Sequence, residues 1–311
     1  MSHRMDDAYE SGAFLADQLQ HIIPGVLRKP YPEIVYPRIC PVSFEVNAGA
    51  TSIKRTLWDR TGNFDLVADA ADDLPRSGVR VGEIVNEIRP FAGAFDYTQD
   101  ELLAAKMAGV NLTTEKADAV RDAYERRNNF TCLFGRAGTG LRGMLNHPAI
   151  DRVVVTGNNN DAWFNDPNTT PQQMLDLLNF GVTQMRINSK QIEQPSDILM
   201  GEADHRIVST TCRSSTDNTT VLELFLKMNP GITSVSPINE LDPANSNGNL
   251  TARRMLFYKK DPVKGKFHIP LPLTFLPPQP RNLKFVVPAM SKAGGFIPDY
   301  PLAYLYIEDG G

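Results

Sequence analysis

The chain is poor in cysteine and histidine and has no long apolar run. Cys40, Cys132 and Cys212 are odd in number and widely spaced, with no Cys-x-x-Cys pair. That pattern supports neither a disulfide framework nor a redox motif, and the three read as buried, reduced thiols. None of the five histidines (His3, His21, His147, His205, His268) has another His or Cys three to five residues away, so the local signature of a zinc site is missing. No stretch approaches the ~20 apolar residues of a membrane helix. Met1–Asp7 shows no apolar signal core, which places the expected protein in the cytosol that makes it. A Gly-x-Ser-x-Gly nucleophile elbow is absent. The glycine-rich run 135–143 continues as Gly140-Leu-Arg, not Gly-Lys-Ser/Thr, and follows a helix, so it does not fit a phosphate loop. No cofactor, metal or catalytic residue is expected. Charge of one sign is also lacking: 32 basic against 36 acidic residues leave −4, which gives no reason for tight nucleic-acid binding.

Present instead are 311 residues with 41% hydrophobic and 22% charged content, an ordinary globular balance with length for a sizeable core. Residues 6–22 place Tyr9, Phe14, Leu15, Leu19 and Ile22 at near-helical spacing. Pro30-Tyr-Pro-Glu-Ile-Val-Tyr-Pro37 has too many prolines for a helix and predicts an extended strap. Residues 52–70 predict two strands around a turn at Asp59–Asn63, with Ile53 and Leu57 on one face and Phe64, Leu66 and Ala68 on the return. Two strands alone are marginal in water, so Leu57, Trp58, Phe64 and Leu66 need a surface to cover, in the subunit or on a neighbour. Asp69-Ala-Ala-Asp-Asp73 makes the tip acidic. Residues 79–95 resume an extended pattern, and the phase slip beside Gly82 predicts a bulge.

Thr98-Gln-Asp-Glu101 is a capping box opening a helix whose inner face is Leu102, Ala105, Gly109 and Leu112. A second helix over 114–130 turns Ala117, Val120 and Tyr124 inward. Its outer charges make either a solvated face or an intersubunit salt-bridge strip. Gly135, Gly138, Gly140 and Gly143 then predict a flexible hinge, as does Gly82. Val153–Val155 is a short buried strand. Thr170-Pro-Gln-Gln173 caps a helix to about Asn188, with Met174, Leu177, Leu178 and Met185 inward, and Thr220-Val-Leu-Glu223 caps another. Ile232–Ile238 reads as a strand. Phe267, Ile269, Leu271, Leu273 and Phe275 alternate strictly, with Pro270 and Pro272 on the opposite face. That pattern predicts one long edge strand.

The order of these elements resembles the major capsid proteins of tailed bacteriophages with the Hong Kong 97 phage capsid fold, and within them the encapsulin-related branch. The motifs that carry it are Arg89-Pro-Phe-Ala-Gly-Ala-Phe95, Lys116-Ala-Asp-Ala119, Asn128-Asn129, Phe134-Gly135, Gly140-Leu-Arg-Gly143 and Asn146-His-Pro148. Thr170-Pro171, Asn229-Pro-Gly-Ile232, Ile269-Pro-Leu-Pro272 and Gly294-Gly295 continue it, so the resemblance covers nearly the whole chain from about residue 30. It implies an α+β fold with an N-terminal arm (1–35), an extended two-stranded loop (47–80), a peripheral domain with a long spine helix (81–148 and 255–290) and an axial domain (149–254 and 291–311). Thr156–Asp161 and Asp242–Asn249 would be the axial tip loops.

The function it implies is a shell subunit of a phage head, icosahedral or prolate, that encloses double-stranded DNA without gripping it. Partners would be the chain itself, as pentamers and hexamers, together with a separately supplied scaffolding protein, a portal and decoration proteins. Assembly would take place in the host bacterial cytoplasm, without a membrane. No long scaffolding prefix is expected, and Lys54, the one lysine in 47–80, carries no mark of covalent cross-linking. Two rivals stay open at this level: a bacterial encapsulin nanocompartment shell and a cytosolic enzyme of unknown type.

Overall fold

The computed structural model describes residues 31–64, 76–109, 111–155, 163–214 and 217–310. The chain divides into Met1–Glu33 and Ile34–Gly311, and the architecture below is that of the second unit. The helix expected over 6–22, Leu66, the acidic run Asp69–Asp73 and the loop Thr156–Asp161 lie outside the described residues.

At the centre is a five-stranded mixed sheet in the order Asp151–Val155, Tyr304–Asp309, Arg254–Tyr258, Asp197–Met200, Ser234–Pro237. Side chains alternate across a strand, and here both faces are covered. Met255, Phe257, Leu305, Ile307, Ile198 and Met200 face one apolar core, while Leu256, Tyr258, Tyr304, Tyr306 and Leu199 face another. A strand buried on both sides reads as an unbroken apolar run, which is why Met-Leu-Phe-Tyr and Tyr-Leu-Tyr-Ile show no polar alternation.

The first core is roofed by the helices Pro171–Asn188 and Val221–Met228 and includes Val208 from a third, Glu202–Thr210. The first two begin where the capping signals place them. Thr170 accepts from Gln173 N in a full capping box with Pro171 at the first turn, and Thr220 accepts from Glu223 N. Met174, Leu177, Leu178 and Met185 all point inward as expected. Glu202–Thr210 was not anticipated, because its N-cap, Gly201, has no side chain to announce it. Gly181 sits where helix and sheet meet: a Cβ there would lie 2.3 Å from the Phe257 ring.

The second core is closed by the end of a 23-residue helix, Leu112–Phe134, about 34 Å long. Asn111 caps it by accepting from Thr114 N, so it starts earlier than expected and also runs one turn further. Burial is confined to its end, Asn128 to Phe134 (Phe130 is partly buried). Asn129 makes the join. Its Oδ1 accepts from Val35 N and Tyr36 N, both at 3.0 Å, and its Nδ2 donates to Glu240 Oε1 at 3.3 Å. The expected strap thus ends in a short helix, Tyr36–Ile39, with Pro37 in its first turn, where a missing N–H costs nothing. Of the three thiols, Cys40 and Cys132 are buried, but Cys212 is exposed, contrary to expectation.

A third layer pairs Arg89–Thr98 with Lys284–Ala293 over ten residues. Leu271–Phe275 and Gln279–Arg281 line the other edge of the same long strand. The alternating run 267–275 is therefore not one strand. It breaks at Ile269–Pro270: Gly265–His268 is the central strand of a separate three-stranded sheet, and Leu271–Phe275 alone is an edge strand. The apolar alternation runs across the break although the two pieces are buried differently: Phe267 to Pro270 are buried in succession, whereas Leu271, Leu273 and Phe275 are only half-buried. Arg254–Tyr258 is the middle strand of the five-stranded sheet.

Candidate assembly surface

The projecting element is a hairpin of two ten-residue strands, Ser52–Thr61 and Gly78–Glu87, paired in unbroken register from Ser52/Glu87 to Thr61/Gly78. The expected turn at Asp59–Asn63 is corrected: Asp59–Thr61 continues the strand, and the return strand is 78–87 instead of 64–68. Gly82 lies opposite Leu57 with no bulge. The apparent phase slip has another cause, because both faces of a projecting hairpin meet solvent and apolar residues occur on both. The ladder ends only at Ile88, whose N–H bonds Thr51 O.

Opposed residues share a face, and this separates two residues that the sequence grouped. Leu57 lies with Arg55, Ile84 and Ile53. Of these, Arg55, Leu57 and Ile84 line a recess of about 250 Å³ together with Val263, Ile297 and Pro298. Trp58 lies on the other face, opposite Val81, with Val79 and Val85 beside it and the pair Lys54–Glu83 (2.7 Å) bordering them. Trp58 is 68% exposed and Phe64, at the described end of the hairpin, 100%. A contiguous apolar face of this kind on a surface marks an interaction site.

The root is fixed to the body. Ile53 and Ile88 close over Gly294, where an added Cβ would lie 3.1 Å from Ile53 Cδ1. Arg55 pairs with Asp299 at 2.5 Å, although burial still holds the Asp299 carboxyl above the usual range. Lys266 pairs with Glu45 at 3.0 Å. His268 is buried between these groups with neither ring nitrogen bonded; desolvation, then the charges of Arg55 and Lys266, lower its pKa to about 4.

The ribbon expected to be a hinge is a small hairpin, Gly135–Arg136 paired with Leu141–Arg142. Gly135 (φ 69°) and Gly143 are packed tightly: a Cβ on either would meet backbone, Leu141 O or Leu133 O, at 2.3 Å. Gly138 and Gly140, both at φ 75°, form the turn, and Gly138 has open space around it. Glycine is needed at the first pair for close approach and at the second for left-handed backbone. Arg89 Nε donates to Thr139 O at 3.1 Å, holding the ribbon beside the large hairpin's root.

Among the described residues no group of three or more His, Cys, Asp or Glu could hold a metal, and no helix is long and apolar enough to cross a membrane.

A long capped helix beside a ten-residue-paired sheet, a separate two-core sheet body and a projecting hairpin make up the Hong Kong 97 phage capsid-like fold. Solved structures bear this out. The capsid of Myoviridae phage XM1 superposes with a TM-score of 0.82 at 17% identity, covering 96% of this chain and 100% of that one. Mycobacterium phage Bobi gives 0.60 at 12%, covering 95% and 97%. A virus-like particle from Pyrococcus furiosus gives 0.52 at 12%, covering 88% and 91%. No curated protein matches the sequence. Residues 62–310 match the major capsid protein family, and the chain belongs to it. It is a structural subunit of a phage head shell, a virion component that assembles with copies of itself.

Proposed function

We propose that the subunit closes its shell by laying the hairpin 52–87 over a neighbouring subunit, with Trp58, Phe64 and the valines beside Trp58 as the covered face. The supporting observation is the exposure of that face on a hairpin whose root is buried and ion-paired. Two-stranded ribbons are marginal alone, so cover from another copy stabilises both hairpin and lattice. Leu57, exposed on the other face, borders the recess beside Val263 and Ile297, and Leu66 keeps the contact role expected of it from the sequence. Many weak contacts repeated around rings give a strong shell. The rings are pentamers and hexamers. Residues 81–148 with 259–290 form the peripheral body, and 149–258 with the final strand form the axial body at the ring centres.

Flexing between shell forms falls to Gly138 and Gly140, the turn positions of the ribbon, while Gly135 and Gly143 keep it packed. The shell encloses double-stranded DNA without sequence-specific contact, in keeping with a net charge of −4. A scaffolding protein, portal and decoration proteins act from outside this chain, and assembly proceeds in the host cytoplasm. The test is electron microscopy of the purified protein beside Trp58→Asp. Closed particles from the parent and unassembled, folded subunits from the variant support the reading; normal particles from the variant overturn the role of this face.

A further inference from the structure

Two of the three thiols meet in the core. Asn129 joins the short helix 36–39 to the long helix by accepting from Val35 N and Tyr36 N, and each helix carries a cysteine one turn further on. Cys132 follows Asn129 by three residues, a spacing that keeps both on one face of the long helix. Cys40 ends the short helix, its N–H bonding Tyr36 O at 3.0 Å. The two residues are 1% and 0% exposed and share one apolar core. The Cys40 thiol is in hydrogen-bonding contact with that of Cys132, and the Tyr304 phenol lies near both. Cys212 stands apart: it is exposed, with Asn218 O 4.0 Å from its sulfur. A single buried cysteine is an ordinary small apolar filler. Two that face each other from separate helices are a dithiol.

Closed, the pair is inert. Burial first, and the Cys40 thiol beside it second, push the Cys132 pKa well above its ordinary range, so Cys132 keeps its proton. Access comes through the short helix. It has four residues, held from outside by Asn129, by Tyr258 OH donating to Ile39 O at 3.0 Å and by Lys260 Nζ donating to Arg38 O. Local opening of so short a segment exposes Cys40 while the long helix stays folded. We infer that Cys40 and Cys132 are a latent cross-link, which a peroxide closes into a disulfide within the subunit once the particle leaves the reducing cytosol. The Cys40 thiolate attacks a peroxide oxygen; the O–O bond breaks, Cys40 becomes a sulfenic acid, and the departing hydroxide takes up the Cys40 proton as water. The Cys132 sulfur then attacks the Cys40 sulfur, the S–S bond forms, and the sulfenic oxygen leaves with the Cys132 proton as a second water. Two thiols are oxidised and one peroxide is reduced. The bond ties the helix 36–39 to the end of the long helix and closes the chain from 40 to 132 into a loop that contains the hairpin 52–87. A cross-link across so long a loop restricts the unfolded chain strongly. It forms inside one subunit, so its test is separate from that of the lattice contact proposed above.

The experiment takes purified Cys212→Ser protein, reduced and then freed of reductant, and exposes it to hydrogen peroxide. Samples are quenched with an alkylating reagent in denaturant and mapped by mass spectrometry. Three results are expected: a peptide linking Cys40 to Cys132, an intact mass lower by two hydrogens, and a urea midpoint raised by roughly 1 M that dithiothreitol reverses. Thiols still free after prolonged exposure overturn the inference, as do sulfinic acids without a linked peptide. None of these readings depends on a substitution in the core. Cys132→Ala should abolish both the linked peptide and the midpoint shift; a shift that survives it overturns the assignment. Asn129→Ala, which loosens the short helix, should speed linking severalfold, and an unchanged rate overturns the access route through that helix.

Discussion

Asn129 offers a sharp test of how the body is held together. Its side-chain oxygen accepts from two buried backbone donors, Val35 N and Tyr36 N, at the start of the short helix 36–39. Both residues are 6% exposed, so water cannot replace the lost partner without opening the core. Asn129→Ala strands both donors, each costing about 1–3 kcal/mol, and the total expected is about 2–5 kcal/mol. Asn129→Asp keeps the acceptor and shape, and its charge suits a helix N-terminus. It loses only the 3.3 Å bond to Glu240 and gains a like charge facing it. The aspartate variant should therefore fall well inside the alanine loss. Urea unfolding of unassembled subunits measures both. An alanine variant within about 0.5 kcal/mol of the parent, or an aspartate variant less stable than alanine, would refute the reasoning.

Gly181→Ala gains about 1 kcal/mol of helix propensity but drives a methyl against Phe257, a fully buried ring, at 2.3 Å. Overpacking of about 1–3 kcal/mol should win, lowering the thermal midpoint. Val81→Ala touches only an exposed face, so subunit stability should move by less than about 0.5 kcal/mol while particle yield falls; equal losses in both would count against an assembly role. His268 is held neutral in the folded state, with a pKa near 4 against an ordinary 6.5. The unfolded chain therefore binds the proton first, and stability falls as pH drops from about 6.5 to about 4. His268→Leu should flatten that slope in pH-dependent unfolding; an unchanged slope would assign it to other groups, His147 among them, which desolvation also depresses to about 4.

Local chemistry made much of this legible before any coordinates. The caps at Thr98, Thr170 and Thr220 and the inward face of the helix 171–188 are properties of a few neighbouring residues, and they came out as read. The helix 99–107 began at its box yet buries none of its residues, because a capping signal fixes a start and not a partner. The assembly surface was half legible. Trp58 and Leu57 both lie on the two-stranded arm, but their placement on opposite faces follows only from the partner strand 78–87.

The sequence alone determined where the helices opened by Thr98, Thr170 and Thr220 start and that 52–61 and 78–87 are extended, since each follows from backbone sterics and capping over short spans. Only the tertiary structure decided that 52–61 pairs with 78–87, that 267–275 splits between two sheets, and that one five-stranded sheet separates two cores. Strand pairing joins residues far apart in the chain by backbone hydrogen bonds that any side chain can accompany, so the choice among partners is made by the packing of the whole.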